Sequence, residues 1–557
     1  MKKSFKAVLS LVLALTVVFC TICIAPISSA ADDSVYFALA TDIHVGEKRE
    51  TLKKNYPENE LYFHADGSGN LYDEAAALTR NFLDKAAAQD VDFVLISGDL
   101  TRSGTDAEHK FIANMLESFE KRTGLQVYVV PGNHDYHNNT PEAFKEFYKN
   151  LCYADALTVD TETASYTADL PNGYRLIAVD SNNPGKDGDG LNERLFNWID
   201  EQVVQARADG REIIYTEHHS VLEHLALGKF VMKDFIVRDS DKVAERFCSW
   251  GIQYTFTGHE HGNDIAKYVG KNGNVLYDVL TTSLSSYPLE YRMVKYGRNG
   301  VSLKMQRIEE CDFSTLIDGY TPEQLALMKS DYTEYSYGYF RYSIEKKVLK
   351  YTSPEFIKGK LKTEDGALAD EIDALMNLVN GALDMPLYDK GDGSLSMESL
   401  AAAKGVTLPK SDYTSLCDLV TALVAQHYYG DENMPGDGSP ECELFVKGLN
   451  TGLEYILSNA GEESIKALLK ISDEFFPEAG LDCWFRAVGT EDSYDVAEAV
   501  LYPILEQFTI DKAPADRDAD LPALGETVDT MAKIKNVIDI ILKVILYVLK
   551  VAASIIK

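Results

Sequence analysis

Five short apolar, β-branched runs each end in residues able to ligate a metal, and this alternation restricts the fold more than any other feature of the sequence. The runs are Val35 to Ala40, Val91 to Ile96, Val127 to Val130, Ile213 to Tyr215 and Tyr254 to Phe256. They lead into Asp42-Ile43-His44, Gly98-Asp99, Gly132-Asn133-His134-Asp135, Glu217-His218-His219 and Gly258-His259-Glu260-His261. Runs of this length and composition, bounded by Gly, Asp and Asn, predict strands. Helix-like stretches lie between the early ones, at Asp73 to Ala88 and Asp106 to Lys121. Strands alternating with helices predict an α/β fold with a largely parallel sheet. In such sheets ligands gather at the carboxyl ends of the strands, so the five motifs are expected on one edge.

Ten of the eleven histidines fall between His44 and His261. Mixed with carboxylates and a carboxamide, they suit borderline first-row divalent cations better than an all-thiolate or all-oxygen site would. A lone Asp-x-His or Gly-Asp means little, because a histidine at a strand end is more often a hydrogen-bonded structural residue. Jointly, in this order and after strand-like runs, the motifs read as a two-metal hydrolase. His219 is expected to support its neighbour His218. His64, His109 and His137 are expected at the surface or in local hydrogen bonds, and His427 outside the site.

The ordered set Asp-x-His, Gly-Asp, Gly-Asn-His-Asp, His and Gly-His-x-His resembles the calcineurin-like metallophosphoesterase superfamily. More narrowly, Ala65 to Tyr72 (ADGSGNLY), Ser97 to Thr101 (SGDLT), Val130 to Asp135 (VPGNHD), His218 to His224 (HHSVLEH) and Ser283 to Pro288 (SLSSYP) are similar to the secreted class III cyclic nucleotide phosphodiesterase branch. The similarity spans residues 34–300. It implies a metallophosphoesterase-type β-sandwich flanked by helices, followed by a mostly α-helical C-terminal domain. Carried over by position, it implies that Asp42, His44 and His261 hold one metal and Asn133, His218 and His259 the other, with Asp99 bridging. A carboxylate suits a bridge because it offers two oxygens, and the neutral oxygen of Asn133 keeps the centre positive enough to attract a phosphate.

The resemblance also turns His134 toward the substrate, where it would protonate the leaving alkoxide or stabilise charge on it. Asp135 is the nearest residue in sequence to orient it. Ser/Thr protein phosphatases place an orienting aspartate, and purple acid phosphatases a tyrosine ligand, three residues after the bridging aspartate; this chain has Arg102 there, which contacts substrate phosphate or caps a loop. His224 either lines the pocket or is a satisfied structural histidine. The implied activity is hydrolysis of small phosphodiesters, cyclic nucleotides foremost, by a hydroxide held between two divalent ions (Mn, Fe, Zn or Co). Alternatives are a glycerophosphodiesterase or phospholipid-headgroup hydrolase, a phosphomonoesterase, and, from another class, a cell-surface binding protein whose metal site is structural.

Lys2, Lys3 and Lys6 followed by an apolar stretch from Ala7 to Ile27 and small residues at 28–31 read as a secretory signal over residues 1–30. A secreted or extracytoplasmic location follows. Removing those lysines takes the formal charge from −33 to −36, which disfavours nucleic-acid polymers and favours small substrates. Residues 32–310 are expected to form the metallophosphoesterase domain and 311–530 the helical one. Five tyrosines just past that boundary, Tyr332, Tyr335, Tyr337, Tyr339 and Tyr342, are expected to pack rather than line the pocket. Residues 531–557 predict an amphipathic helix with Lys543, Lys550 and Lys557 on one stripe, suited to a membrane surface or a protein partner.

Overall fold

The predicted strands form, and they lie in two sheets flanked by helices, as the expected β-sandwich requires. The computed structural model describes residues 33–46, 68–184, 189–224, 235–310, 322–362, 366–430, 439–461, 484, 487–509 and 514–528. The predicted signal at 1–30, the predicted amphipathic helix at 531–557 and His64 lie outside the described residues. From Val35 onward the chain is one compact unit.

The first sheet contains β1 (Val35–Ala40), β2 (Phe93–Ile96), β3 (Gln126–Val129), β11 (Glu290–Gly297), β12 (Gly300–Arg307) and β13 (Ala519–Leu521), in the order β13-β12-β11-β1-β2-β3. The second contains β4 (Ala156–Val159), β5 (Tyr166–Leu170), β6 (Tyr174–Ala178), β7 (Glu212–Thr216), β8 (Tyr254–Thr257), β9 (Asp264–Val269) and β10 (Val275–Leu280), in the order β4-β5-β6-β7-β8-β10-β9. The expectation of a largely parallel sheet needs correction. β1-β2-β3 and β6-β7-β8-β10 are parallel, but the β11-β12-β13 flank of the first sheet and both edges of the second are antiparallel. Most of the parallel neighbours, β1-β2, β2-β3, β6-β7 and β7-β8, are joined through helices, whereas β8 reaches β10 through β9. The antiparallel members are hairpins such as β9-β10 and β11-β12, whose short turns cannot make a parallel crossover.

The central strands are apolar on both faces because both faces are covered. Phe37 on β1 stacks on Phe93 at 4.7 Å and meets Phe256 of the other sheet edge-on at 5.5 Å, so the two sheets share a core. Each such buried ring contributes about 1.5–3 kcal/mol. Helices α1 (Ala75–Ala87), α2 (Asp106–Thr123), α3 (Pro141–Phe147), α4 (Glu193–Ala208) and α5 (Ser240–Trp250) accompany the sheets. α2 starts on Thr105 and Glu108, which cap each other's backbone N–H groups and fix where the β2 loop ends.

Beyond β12 the described chain is mostly helical: α6 (Pro322–Ser330), α7 (Tyr332–Tyr351), α8 (Pro354–Leu361), α9 (Ala367–Asp384), α10 (Met397–Ala403), α11 (Leu416–Tyr429), α12 (Pro440–Asn459) and α13 (Ser493–Thr509). The tyrosines of α7 pack: Tyr335 donates to Glu74 at 3.3 Å and Tyr339 to the Asn70 carbonyl at 3.2 Å. Residues 514–528 then return to the sheets, where β13 pairs with β12 and the carbonyl of Pro522 accepts from Tyr254 at 2.5 Å. Among the described residues no helix is long and apolar enough to cross a membrane. Cys152, Cys248, Cys417 and Cys442 are buried free thiols.

Candidate metal centre

The loops after β1, β2, β3, β7 and β8 meet at one edge and bring the predicted donors together. Three overlapping groups form there: Asp42, His44 and His261; His44, Asp99 and His134; and Asp99, His218 and His259. His261 Nε2 lies 3.2 Å from Asp42 Oδ1 and 3.1 Å from His44 Nε2. Asp99 Oδ2 lies 3.4 Å from His218 Nε2, 3.7 Å from His44 Nε2 and 4.0 Å from His134 Nε2. Two donors sharing one cation at about 2.1 Å each sit roughly 3–3.5 Å apart, so these spacings fit shared ions.

The unpartnered atoms point the same way. Asp42 Oδ1, Asn133 Oδ1 and His218 Nε2 are buried and accept or donate no hydrogen bond. Leaving three such atoms dry would be costly, and two bound cations would satisfy them, one at Asp42 and one at Asn133 and His218. The opposite oxygens are taken: Asp42 Oδ2 accepts from Thr41 Oγ1 at 2.7 Å and from the His259 N–H at 3.0 Å, and Asp99 Oδ1 from the His134 N–H at 2.9 Å. The Ser97 carbonyl holds His218 Nδ1 at 2.9 Å. These supporting bonds turn one face of each donor inward.

Local backbone geometry is committed to the same end. Asp42, His44, Asp99, His259 and His261 all adopt positive φ, between 43° and 73°, a conformation that persists only where the surroundings enforce it. Gly98, at φ 100°, leaves room for His218, whose Nδ1 would lie 2.3 Å from an added Cβ. At Gly132 a Cβ would fall 2.1 Å from Asp99 Oδ1. Gly132→Ala is therefore expected to push Asp99 out of place and weaken metal binding about 10–100-fold, as disturbed supporting contacts do. Calorimetric titration of the metal-stripped variant with Mn(II) checks this, and wild-type affinity would contradict it.

Burial and charge set the protonation of the cluster. Burial drives His44 and His259 down to about 3, which keeps their rings neutral and able to ligate. Burial also opposes charge on His218, but Asp99 and Asp42 override it and lift the ring to about 9. Burial alone would raise Asp42 and Asp99, yet the surrounding histidines hold both carboxylates below their usual range.

His134 stands at the open side with its ring 30% exposed. Its Nδ1 lies 2.7 Å from the Arg102 carbonyl, which can only accept. That fixes the proton on Nδ1 and leaves Nε2 facing the centre. The expectation that Asp135 orients this ring is corrected. The Asp135 carboxylate is fully buried and accepts from the N–H groups of Leu100, Thr101 and Gly132 and from the Thr101 hydroxyl, at 2.7–3.1 Å. Four bonds across the loops after β2 and β3 use up its acceptor capacity, so it holds those loops together and the Arg102 backbone does the orienting. The Arg102 guanidinium lies 4.0 Å over the Tyr72 ring, and Tyr72 meets His44 edge-on at 6.2 Å.

His224 is a structural histidine. Nδ1 is 2.5 Å from Asp264 and Nε2 3.2 Å from Asp278, and the ring is fully buried. Burial opposes its charge, but the two carboxylates override it and hold the ring well above 6.5. The stabilisation is therefore complete below pH 6.5 and fades as the pH rises through the folded-state value. His224→Leu is expected to cost about 3–5 kcal/mol, because it strands buried carboxylates. Denaturant unfolding at several pH values checks this, and the loss should shrink at alkaline pH.

His219 Nδ1 bonds Ser181 Oγ at 2.9 Å, and its ring packs on His259 at 4.5 Å. His109 is buried between Tyr148 and the Asp135 carbonyl, whereas His137 is exposed beside His134. His427, expected elsewhere, lies against Gly262: a Cβ there would be 2.9 Å from its Nε2. An isolated histidine on a distant helix carries no signal that could have placed it here. Ser283 and Ser285 donate to the Asp42 carbonyl at 2.8 and 3.2 Å and support the first ligand loop.

Parts of the chain are similar to known proteins. Residues 35–263 match the family model for calcineurin-like phosphoesterases. The chain is 26% identical over 153 residues to a probable glycerophosphodiester phosphodiesterase from Arcobacter nitrofigilis, covering 26% of this chain and 51% of that protein. It is 23% identical over 241 residues to a probable cyclic nucleotide phosphodiesterase from Fibrobacter succinogenes, covering 41% of this chain and 84% of that one. The chain thus spans about half the length of the first relative. A dimetal phosphatase from Danio rerio aligns with a TM-score of 0.35 at 13% identity, over 49% of this chain and 95% of that one. Residues 35–263 thus carry a calcineurin-like phosphoesterase domain.

Proposed function

We propose that the chain is an exported, dinuclear metal-dependent phosphodiesterase whose preferred substrates are small diesters, cyclic nucleotides foremost. The observation that carries this reading is the position of Asp99 Oδ2 between two donor groups, Asp42-His44-His261 on one side and His218-His259 on the other. Asn133 Oδ1, buried and unpartnered one residue before His134, is proposed to join the second group. Bound divalent cations would supply Lewis-acid charge for the phosphoryl oxygens and acidify a water.

The remaining work falls to the chain. His134, with its Nδ1 proton engaged by the Arg102 carbonyl, presents Nε2 to the leaving oxygen and, when it enters the reaction as the imidazolium, gives up the Nε2 proton there and is left as the neutral Nδ1–H ring. Asp135 keeps the His134 and Asp99 loops in register. Arg102, stacked on Tyr72 beside His44, is a cationic contact for a phosphate. Net charge of −33 supports small substrates over polyanionic chains. Export rests on the basic-apolar-small pattern of residues 1–30, and residues 531–557 are proposed to meet a membrane surface or a partner.

A second reading, glycerophosphodiester hydrolysis, is favoured by the name of the Arcobacter relative. The test compares kcat/KM of the Mn(II)-loaded chain for 3′,5′-cyclic AMP, glycerophosphocholine, a bis-aryl phosphate and its monoester. The reading expects diesters over the monoester and cyclic AMP over glycerophosphocholine. The reverse order within the diesters would favour the second reading, and monoester preference would overturn both.

A further inference from the structure

The last carbonyls of a helix have no partner within it and must find donors elsewhere. At the end of α11 those donors come from the metal-ligand loop and from the returning segment. Asn263 Nδ2 donates to the carbonyls of Tyr429 and Tyr428 at 3.2 and 3.4 Å. Arg517 donates to the Tyr429 carbonyl at 2.8 Å and lies 3.7 Å over the Tyr429 ring. Arg517 is held in turn by both oxygens of Glu290 at 2.7 Å.

Asn263 is fully buried and lies two residues after His261. Its other atom works on the ligand itself. Asn263 Oδ1 accepts from the Thr282 N–H at 3.0 Å, and the Thr282 hydroxyl donates to the His261 carbonyl at 2.5 Å. One side-chain amide therefore joins the end of α11 to the peptide that carries His261. Packing reinforces the joint. Gly430 sits so close that a Cβ there would fall 2.8 Å from Asn263 Cβ, and the His427 ring covers Gly262 with equal intimacy. The Tyr428 ring meets the His261 ring edge-on at 6.5 Å. His261 itself is held at φ 64°, a conformation that needs outside support.

We propose that Asn263 is a positioning residue through which the seating of α11 sets the affinity of the Asp42-His44-His261 group for its divalent cation. The helical region is then part of the metal centre rather than an appendage to it. The proposal rests on the two-metal reading above and adds to it a dependence on residues far along the chain.

Asn263→Asp is the discriminating variant. It keeps an acceptor for the Thr282 N–H but turns the donor that faces Tyr428, Tyr429 and Glu290 into a negatively charged acceptor. The metal-stripped full-length chain is titrated with Mn(II) by calorimetry, and bound metal is counted by mass spectrometry. One of two binding events is expected to weaken at least about tenfold in Asn263→Asp while the other keeps its wild-type affinity. His427→Ala, a change at a half-buried ring, is expected to weaken the same event by a smaller factor, and it carries the test if the first variant does not fold. Wild-type affinity for both metals in a folded variant overturns the proposal. Equal weakening of both events together with a lowered Tm also overturns it, since general packing would produce that. A wild-type chain that binds no Mn(II) takes down the two-metal reading itself, and this proposal with it.

Discussion

Asp99→Asn is expected to abolish tight binding of both metals and to lower kcat/KM for a phosphodiester by about a thousandfold or more. The substitution keeps the shape and the oxygen that receives the His134 N–H, but removes the charge that both donor groups share. Asp99 Oδ2 lies within 3.7 Å of donors from each group, at His218 and His44. Charge stabilisation by a bound cation contributes several kcal/mol to such a reaction, and each 1.4 kcal/mol is about tenfold in rate. Steady-state kinetics beside a metal count checks both effects. Loss of a single metal, with the other bound at wild-type affinity, would show that Asp99 does not bridge.

His134→Ala is expected to separate chemistry from binding. Two metals should still bind, while kcat falls by about 10²–10⁴-fold, the range of a lost general acid. Because Nε2 is assigned to the leaving oxygen, the loss should be largest for alkoxide leaving groups and small for a nitrophenolate, which departs without a proton. An equal loss for both classes of leaving group would move His134 from proton donor to simple charge stabiliser.

The centre was legible because strand-ending motifs are local. Asp42, His44, Asp99, Asn133, His218, His259 and His261 sit in segments whose composition places each at a strand terminus, and parallel strands bring termini to one edge. Sheet membership was harder to read. Tyr254 to Thr257 and Val35 to Ala40 both read as buried strands, and nothing in either run says that they belong to different sheets. The role expected of Asp135 failed for a related reason. Nearness in sequence to His134 suggested an orienting carboxylate, but the short helical turn at His134–Tyr136 carries the two side chains apart and leaves the work to a backbone carbonyl. Backbone groups leave no mark on composition. The joint between Asn263 and α11 spans more than 160 residues, a separation at which no periodicity operates. Asn263 did carry one signal, its place directly after Gly258-His-Glu-His-Gly262.

The central claim is that two cations share Asp99 and that hydrolysis depends on both. The most direct measurement strips the full chain of metal and adds Mn(II) stepwise, following bound metal and hydrolysis of a bis-aryl phosphate in the same samples. The account predicts no hydrolysis in the stripped chain, two equivalents of Mn(II) at saturation, and activity that rises with the second. Full activity without metal, or saturation of activity at one equivalent with no second binding event, would contradict it.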